Sequence, residues 1–288
     1  RQSVFMKICV AGLGLIGGSM CSALKRAGHA VDGWNRSPQA ACYAVENGII
    51  DAQADGFTRY DVVFVALPPQ ATVDFIDNTR FKSGAIVSDI CGVKGFIENH
   101  VYSVPRNFRY VGCHPMAGKE VSGIENACAD LFDGASMIIT RRNETDADAA
   151  DKVIDLSRDM GFGRAVLCTA KTHDEKIAYT SQLAHIVSNA YVKSPSLKNC
   201  ICFTGGSFQD MTRIAGVDEN VWASLYLNNA ENVVAEIDLL VDSLTRVKEA
   251  VLEKDSRKLK SILAEGRSLF AGSEKTVSDA DISVKKLN

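Results

Sequence analysis

One histidine stands where a general base could act. His114 opens the segment HPMAGKE (residues 114–120), directly after an apolar run that is typical of a buried strand. Near neutral pH an imidazole can take a proton from a substrate hydroxyl. A lone histidine after a strand is more often structural, whereas a position beside a ligand crevice favours catalysis. We therefore treat His114 as a candidate catalytic residue.

A glycine-rich turn near the start of the chain could bind a phosphate. Gly12, Gly14 and Gly17 form the pattern G-x-G-x-x-G between a predicted strand and a predicted helix. Gly12 allows the tight turn, Gly14 lets a pyrophosphate approach the backbone, and Gly17 lets helix and strand pack closely. The N–H groups and dipole at the helix start favour phosphate, so we expect a dinucleotide here. Four further predicted cofactor contacts lie in the same turn and at the end of a later strand: Leu15, Ile16, Leu67 and Pro68.

The end of the second predicted strand bears on which dinucleotide is bound. An acidic residue about 20 positions after the glycines would bind the adenine ribose of NAD+. Asn35, Arg36 and Ser37 occupy that place, and Asp32 comes too early, within the strand. A neutral Asn35 does not repel a 2′-phosphate and Arg36 could pair with one, so the sequence slightly favours NADP+ over NAD+. A solvated surface role for Arg36 remains open.

Short apolar runs alternate with helical stretches over the first half of the chain. Predicted strands cover residues 7–11, 30–34, 61–67, 85–90, 110–113, 136–140 and 164–167. This alternation is typical of a doubly wound sheet. We predict an α/β fold in which residues 1–170 form a Rossmann-type, dinucleotide-binding domain with a mostly parallel sheet. The carboxyl ends of such strands face the ligand crevice, which would bring His114 close to the glycine turn.

Residues 171–288 are predicted to form an all-helical domain for substrate binding and dimerisation. Thr172 and Glu175 have the spacing of a capping box before a helix that runs to about Pro195. Asp218 can cap a second, long helix. An apolar seam at spacings of three and four follows within it: Ala230, Val233, Ile237, Leu240, Leu244, Val247 and Val251. This seam fits either packing within the chain or a homodimer interface.

The composition excludes several classes of function. The 288 residues carry a net charge of −3, which does not favour nucleic acid or an anionic membrane as a partner. The nine cysteines are scattered, without a C-x-x-C pair, which is typical of free thiols in a reducing cytoplasm. No apolar run approaches the length of about 18 residues needed to span a membrane. We expect a cytoplasmic enzyme with a small-molecule substrate and no metal.

Four segments together resemble the prephenate/arogenate dehydrogenase family of tyrosine biosynthesis. They are GLGLIGGS (12–19), HPMAGKE (114–120), SQLAH (181–185) and GGSFQDMTRIA (205–215), which is followed by Trp222. The glycine motif is shared by many families, whereas the second and fourth segments together are far more specific. The resemblance implies oxidative decarboxylation of prephenate to 4-hydroxyphenylpyruvate with hydride transfer to NAD(P)+. His114 would then accept the proton of the ring hydroxyl.

The resemblance also implies roles for residues in the second half. Arg213 would hold a substrate carboxylate, for which a planar bidentate donor is suited. Ser181, His185 and Trp222 would contact the substrate or line its pocket. Glu120 and Asp210 would gate the pocket or orient Arg213. Gly206 would approach the substrate from a neighbouring subunit of a homodimer.

One position departs from the family pattern. Many members carry a serine before Val-Lys that hydrogen-bonds the catalytic histidine, and Gly92 holds that position here. Ser88, a water or a backbone group could take the serine's place. Three alternatives stay open: an arogenate dehydrogenase, a β-hydroxyacid dehydrogenase, and a cofactor-binding homologue without activity, which the Gly92 departure alone supports.

Overall fold

A parallel sheet forms the N-terminal part of the computed structural model, which describes residues 6–273 and 282–287. Its strand order is β2-β1-β3-β4-β5. The strands are β1 Ile8–Ala11, β2 Val31–Trp34, β3 Val62–Val65, β4 Ile86–Asp89 and β5 Arg109–Tyr110. The helices between them are α1 Leu15–Arg26, α2 Pro38–Glu46, α3 Pro69–Asn78 and α4 Gly95–Val101.

The central strands are buried on both faces, which explains their continuous apolar sequences. Every residue of β1, β3 and β4 is buried, as parallel strands covered by helices on two sides should be. Side chains alternate between two apolar clusters: Val10 and Phe64 belong to one, Cys9 and Val63 to the other.

A second, mixed sheet continues from the first. It has the order β6-β7-β8-β9, with β6 Gly112–Pro115, β7 Ser136–Thr140, β8 Arg164–Cys168 and β9 Ser283–Lys286, and α5 Ala147–Asp159 connects β7 to β8. β7 and β8 are parallel, whereas β6 and β9 run antiparallel to their neighbours. The predicted fold class is confirmed, but the sequence analysis missed β9, by which the end of the chain returns to this sheet.

Helices dominate from residue 170 to residue 273. They are α6 Ala170–Ile177, a π-helical turn Ala178–Leu183, α7 Ala184–Tyr191, α8 Gly206–Thr212, α9 Glu219–Leu227, α10 Ala230–Leu252 and α11 Ser256–Ser273. Asp218 caps α9 as predicted, because its carboxylate accepts the N–H groups of Asn220 and Val221.

Two local predictions in this region are wrong. The helix after residue 168 is capped by Thr169, whose hydroxyl accepts the Thr172 N–H, so Thr172 and Glu175 form no capping box. The long helix predicted after Asp218 is broken into α9 and α10. The break is at Asn229, a buried residue whose side-chain amide donates to the Asp174 carbonyl and the Gln182 side chain. These tertiary hydrogen bonds outweigh the helical periodicity of the local sequence.

The apolar seam of α10 is only partly covered within the chain. Val233 is buried, whereas Leu244 and Val251 are 59% and 56% exposed. Within the described ranges, no helix combines the length and apolarity that a membrane span requires. All nine cysteines are unpaired.

Candidate active site

A cavity of about 750 Å³ lies where the sheets meet the helices. Its lining includes Ile16 at the start of α1, Gly92 after β4, and His114 on β6. From the helical half, its lining includes Ser181, His185 and Trp222, and Glu120 lines it from the loop after β6. The cavity thus joins the glycine turn to most of the sequence-predicted substrate residues.

The glycine turn leaves room where a dinucleotide would need it. Gly12 has a φ of +104°, and a Cβ added there would lie 2.2 Å from the Ala66 carbonyl oxygen. A Cβ added to Gly17 would lie 1.8 Å from the Gly12 carbonyl oxygen, so both positions require glycine for packing. A Cβ on Gly14 would meet nothing within 4 Å, and no side chain caps α1 at this residue. The open helix start therefore fits a pyrophosphate.

The residues that follow β2 hold the glycine turn in place, and one of them, Arg36, has no ion-pair partner among the described residues. The Asn35 side chain accepts the Leu13 N–H at 3.0 Å and donates to the Ser37 carbonyl at 3.3 Å. Asp32 is bound by Arg59 and by the Tyr60 hydroxyl, which removes it from the ribose position. Arg36 is exposed and forms no ion pair within residues 6–273 and 282–287.

The other predicted cofactor contacts surround the same turn. Leu15 is the first residue of α1. Leu67 lies beside Gly12, with its Cδ2 3.0 Å from where a Gly12 Cβ would be. Pro68 is exposed and precedes α3.

His114 belongs to a chain of hydrogen bonds that the sequence analysis missed. His114 Nδ1 lies 2.9 Å from His173 Nε2, and His173 Nδ1 lies 2.7 Å from Asp174 Oδ1. The Asp174 carboxylate also accepts the backbone N–H groups of Lys94 and Gly95, each at 2.8 Å. His173 and Asp174 are adjacent in sequence but 59 residues from His114, so only the fold shows their relation.

The surroundings of His114 favour its neutral form. Burial lowers the pKa of His114 well below its usual range, and the nearby His173 and Lys94 lower it further. Lys94 is fully buried, and its ammonium group is bound by Asp89 and by the Cys113 carbonyl. A neutral imidazole is the form that can accept a proton.

Neither Gly92 nor Ser88 supplies the hydrogen bond of the family serine. A Cβ added to Gly92 would lie 3.7 Å from His114 Nε2, so glycine leaves this face of the imidazole open to the cavity. Ser88 is buried and its hydroxyl donates to Cys113 Sγ at 3.2 Å. The group that bonds His114 is therefore His173, at the opposite nitrogen.

Ser181 and His185 face the cavity together with Trp222. The imidazole and indole ring centres are 3.8 Å apart, with a tilt of 32°. His185 Nδ1 donates to the Ser181 carbonyl at 2.9 Å, which leaves Nε2 for a ligand. Ser181 lies in the π-helical turn, an irregularity that is frequent at functional sites.

Arg213 stands at the edge of the cavity and is 65% exposed. Its guanidinium pairs with the carboxylate of Glu120, which lines the cavity, but Arg213 does not line the cavity itself. Asp210 is exposed and forms no ion pair among the described residues, and Gly206 lies at the exposed start of α8. The roles predicted for Asp210 and Gly206 stay predictions. The described part of the chain contains no cluster of three or more histidine, cysteine or acidic residues that could hold a metal.

Comparison with known families decides the assignment. Residues 20–166 match the sequence model of the prephenate dehydrogenase nucleotide-binding domain, and residues 169–265 match that of the prephenate dehydrogenase dimerization domain. The chain belongs to the prephenate dehydrogenase family. Because family membership is established, the alternative of a β-hydroxyacid dehydrogenase is set aside.

Similar proteins carry the same family name or a related one. The chain is 28% identical over 270 residues to the prephenate dehydrogenase of Bacillus subtilis (strain 168), over 88% of this chain and 72% of that protein. It is 27% identical over 268 residues to the cyclohexadienyl dehydrogenase of Zymomonas mobilis, over 88% of this chain and 91% of that protein. A crystal structure of prephenate dehydrogenase from A. aeolicus, in complex with hydroxyphenyl propionate and NAD+, has a TM-score of 0.82 and 26% identity. It covers 95% of this chain and 100% of that one.

The prephenate dehydrogenase family and its fold are thus shown for this chain. Family membership and the glycine turn together make the protein a dehydrogenase that uses a nicotinamide cofactor. The sequence-based prediction of the family is confirmed.

Proposed function

We propose that the protein oxidatively decarboxylates prephenate to 4-hydroxyphenylpyruvate, with NADP+ preferred over NAD+. The observation that carries the proposal is the shared cavity, which joins Ile16 of the glycine turn to His114, Ser181, His185 and Trp222. A proton acceptor, polar side chains and aromatic walls thus surround a space that opens onto the cofactor turn. This combination fits a small cyclic acid with a hydroxyl group.

His114 is the proposed proton acceptor. Its Nε2 accepts the proton of the ring hydroxyl as hydride leaves the ring carbon that bears this hydroxyl. A bound nicotinamide would supply the hydride acceptor. The ring carboxylate then leaves as carbon dioxide, its bonding electrons complete the aromatic ring, and the proton returns to the phenolate oxygen. Because aromatisation drives the reaction, the protein mainly has to position the substrate and accept this proton.

Arg213 is the proposed partner of a substrate carboxylate. Its guanidinium pairs with Glu120 at the cavity edge, so the substrate carboxylate has to displace the Glu120 carboxylate. The side chains of Arg213 and Glu120 are 65% and 49% exposed. An exposed ion pair of this kind contributes little free energy, so Arg213 can change its carboxylate partner at little cost. Glu120 would thereby act as a gate, and Asp210 lies on α8, about one turn before Arg213, the residue that follows this helix.

Prephenate is proposed ahead of arogenate because the similar proteins of Bacillus subtilis and A. aeolicus are named prephenate dehydrogenases. The two substrates differ in a keto against an amino group on the side chain, and a cationic amine would need a free carboxylate. Of two carboxylates that line the cavity, Asp218 caps α9, whereas Glu120 is released when a substrate carboxylate takes its place on Arg213. Arogenate dehydrogenase activity is therefore the second candidate, because the released Glu120 carboxylate could bind an amine.

The preference for NADP+ rests on the end of β2. Asn35 is used to hold the glycine turn and Asp32 is bound elsewhere, so neither of these two side chains is available to a free 2′-hydroxyl. Arg36 is the nearby cation without a partner among the described residues. Ser37 follows it as the N-cap residue of α2, and its hydroxyl, which donates to Gln39 Oε1 at 2.7 Å, would have to turn from that partner to bind a phosphate.

A homodimer through residues 171–288 completes the proposal. The dimerization-domain match covers 169–265, and the exposed apolar residues of α10 and α11 would be buried by a second subunit. They include Leu239, Val241, Leu244, Leu252, Leu263 and Leu269, each more than half exposed. Gly206 of the partner subunit would then approach the substrate. In this proposal residues 1–170 bind the dinucleotide, and the unpaired cysteines support a reducing, cytoplasmic location.

The test is a matrix of two substrates and two cofactors. Prephenate and arogenate are each supplied with NAD+ and NADP+, and the formation of reduced cofactor is followed by absorbance. We expect turnover to be fastest with prephenate and NADP+, and Arg36→Ala should raise KM for NADP+ while leaving KM for NAD+ unchanged. No turnover of either substrate would contradict the proposed activity, and a preference for arogenate would favour the second candidate.

A further inference from the structure

We infer that His173, backed by Asp174, is a positioning residue that fixes the tautomer and the ring orientation of His114. The inference rests on the proposed role of His114 as proton acceptor and adds to it a residue pair that the substrate does not touch. Of the three residues, only His114 lines the cavity. His173 is 1% exposed and lies behind it.

The chemistry of the hydrogen-bond partners determines where each proton sits. The Asp174 carboxylate can only accept, so His173 Nδ1, 2.7 Å away, must carry a hydrogen. In a neutral imidazole the other nitrogen is then an acceptor, so His173 Nε2 accepts. His114 Nδ1, 2.9 Å from that nitrogen, must therefore donate. It follows that His114 Nε2 carries the free lone pair, which is the atom the proposed reaction needs.

The far end of this chain is anchored in the backbone. The two oxygens of Asp174 accept the N–H groups of Lys94 and Gly95 at the start of α4, and its own carbonyl accepts from Asn229. A carboxylate that accepts several hydrogen bonds is held in one orientation. Asp174 can therefore determine the orientation of His173, and His173 that of His114.

The near end of the chain is left open. A Cβ on Gly92 would come within 3.7 Å of His114 Nε2, and this nitrogen has no hydrogen-bond partner among residues 6–273 and 282–287. Glycine in place of the family serine thus removes a competitor for the lone pair. Orientation is supplied from the Nδ1 side, and Nε2 stays available to substrate.

The Asp174 carboxylate also offsets an unfavourable environment of the His114 cation. Burial, His173 and Lys94 all disfavour protonated His114 and lower its pKa. When Nε2 takes up the substrate proton, the Nδ1 hydrogen stays in its bond to His173, and the Asp174 carboxylate stabilises the positive charge through that ring. No proton has to move to Asp174. The titratable groups around the imidazole are thus His173 and Asp174 on α6, and Lys94 with its partner Asp89.

Kinetics of paired variants test this role. His173→Leu removes the acceptor of the His114 Nδ1–H, whereas the side-chain oxygen of His173→Gln can still accept it. We expect His173→Leu to lower kcat by about 10- to 100-fold, as loss of an orienting partner typically does, with KM for substrate and cofactor unchanged. His173→Gln should recover most of this loss. Equal losses in both variants, or a loss confined to KM, would show that His173 is merely structural.

A double variant separates action through His114 from a general effect. If His173 acts only through His114, adding His173→Leu to His114→Asn should cost no further activity. A further loss of the same size as in the parent would overturn the inference. Circular dichroism and thermal unfolding of each variant serve as the control for folding.

Nitrogen NMR of histidine-labelled protein reads the tautomer without any substrate. The five histidines allow assignment by comparison with His114→Asn and His173→Gln. We expect His114 to show a protonated Nδ1 and an unprotonated Nε2, and this difference to be averaged in His173→Leu. A proton on Nε2 would refute the inference even if prephenate is turned over. Conversely, the expected tautomer in a protein that oxidises neither ring substrate would refute only the proposed function.

Discussion

The two walls of the cavity are built in opposite ways. The sheet wall consists of His114 and Gly92 with His173, Asp174 and Lys94 behind them. Its supporting charges are buried, with Lys94 at 0% exposure. The helix wall consists of Ser181, His185 and Trp222 with Arg213 at the edge, where the guanidinium is 65% exposed and pairs with Glu120.

This difference matches two different chemical tasks. The proposed proton transfer needs one nitrogen in one orientation, and the sheet wall contains a continuous series of buried hydrogen bonds that would hold it. The proposed capture of an anionic substrate needs a cation that can meet it from solvent and exchange partners, and Arg213 on the helix wall would be that cation. Changes to the sheet wall should therefore act on kcat, and changes to the helix wall on KM.

The largest effect should come from the sheet wall. His114→Asn should lower kcat by about 10²–10⁴-fold, because it removes the proton acceptor. Cofactor affinity should be unchanged, since no cofactor contact is proposed for this side chain. Steady-state kinetics and titration of cofactor fluorescence measure the two quantities. If kcat is retained, the sheet wall does not carry the proton transfer.

The next largest effect should come from the helix wall. Arg213→Ala should raise KM for substrate about 10- to 100-fold, because a charged hydrogen bond of about 1.5–3 kcal/mol is lost. Arg213→Lys keeps the positive charge but loses the bidentate geometry of the guanidinium, so its KM for substrate should lie between those of the parent protein and Arg213→Ala. Neither variant should change thermal stability, since the side chain is largely exposed. If Arg213→Ala bound the substrate as tightly as the parent protein, Arg213 would not be the partner of a substrate carboxylate.

The pH dependence sharpens the comparison, because the proposed proton acceptor, His114, belongs to the sheet wall. His114 must be neutral to act, and burial lowers its pKa well below the usual histidine range. kcat/KM should therefore stay constant as pH falls through that range and then drop about tenfold per unit below the lowered pKa. The free energy of unfolding should decrease as pH falls from the ordinary histidine pKa to the lowered pKa of His114, because over that interval the unfolded chain binds a proton that the folded chain excludes. Below the lowered pKa both states bind the proton, and this contribution no longer changes with pH. A midpoint at or above the ordinary histidine pKa would contradict the burial argument.

The smallest effect concerns the gate. Glu120→Gln should lower KM by up to about fivefold, because an exposed ion pair that competes with substrate is worth only about 0.2–1 kcal/mol. Glu219→Gln, the same change at an exposed residue in the first turn of α9, is the matched control and should be neutral. An increase in KM for Glu120→Gln would mean that Glu120 orients Arg213 instead of competing for it.

The features that the sequence predicted correctly depend mainly on residues that are close together in the chain. The glycine turn and the cap at Asp218 follow from steric and hydrogen-bonding needs that the nearby sequence displays. The apolar strands of the first sheet follow from their burial on both faces. These features needed no knowledge of distant residues.

Other features depend on partners that are distant in the chain. The link from His114 to His173 spans 59 residues, and the break before α10 depends on Asn229 reaching Asp174 and Gln182. β9 forms only because β8 offers an edge. The adjacent His173 and Asp174 at the start of a predicted helix were the one available signal, and their chemistry became visible only beside His114.

A crystal structure with NADP+ and hydroxyphenyl propionate tests the central claim most directly, namely that both walls act on one ligand. We expect the ring hydroxyl within about 2.6–3.2 Å of His114 Nε2. We also expect the carboxylate on Arg213, with Glu120 displaced. A ligand bound away from His114, or with its hydroxyl directed to the helix wall, would contradict the account.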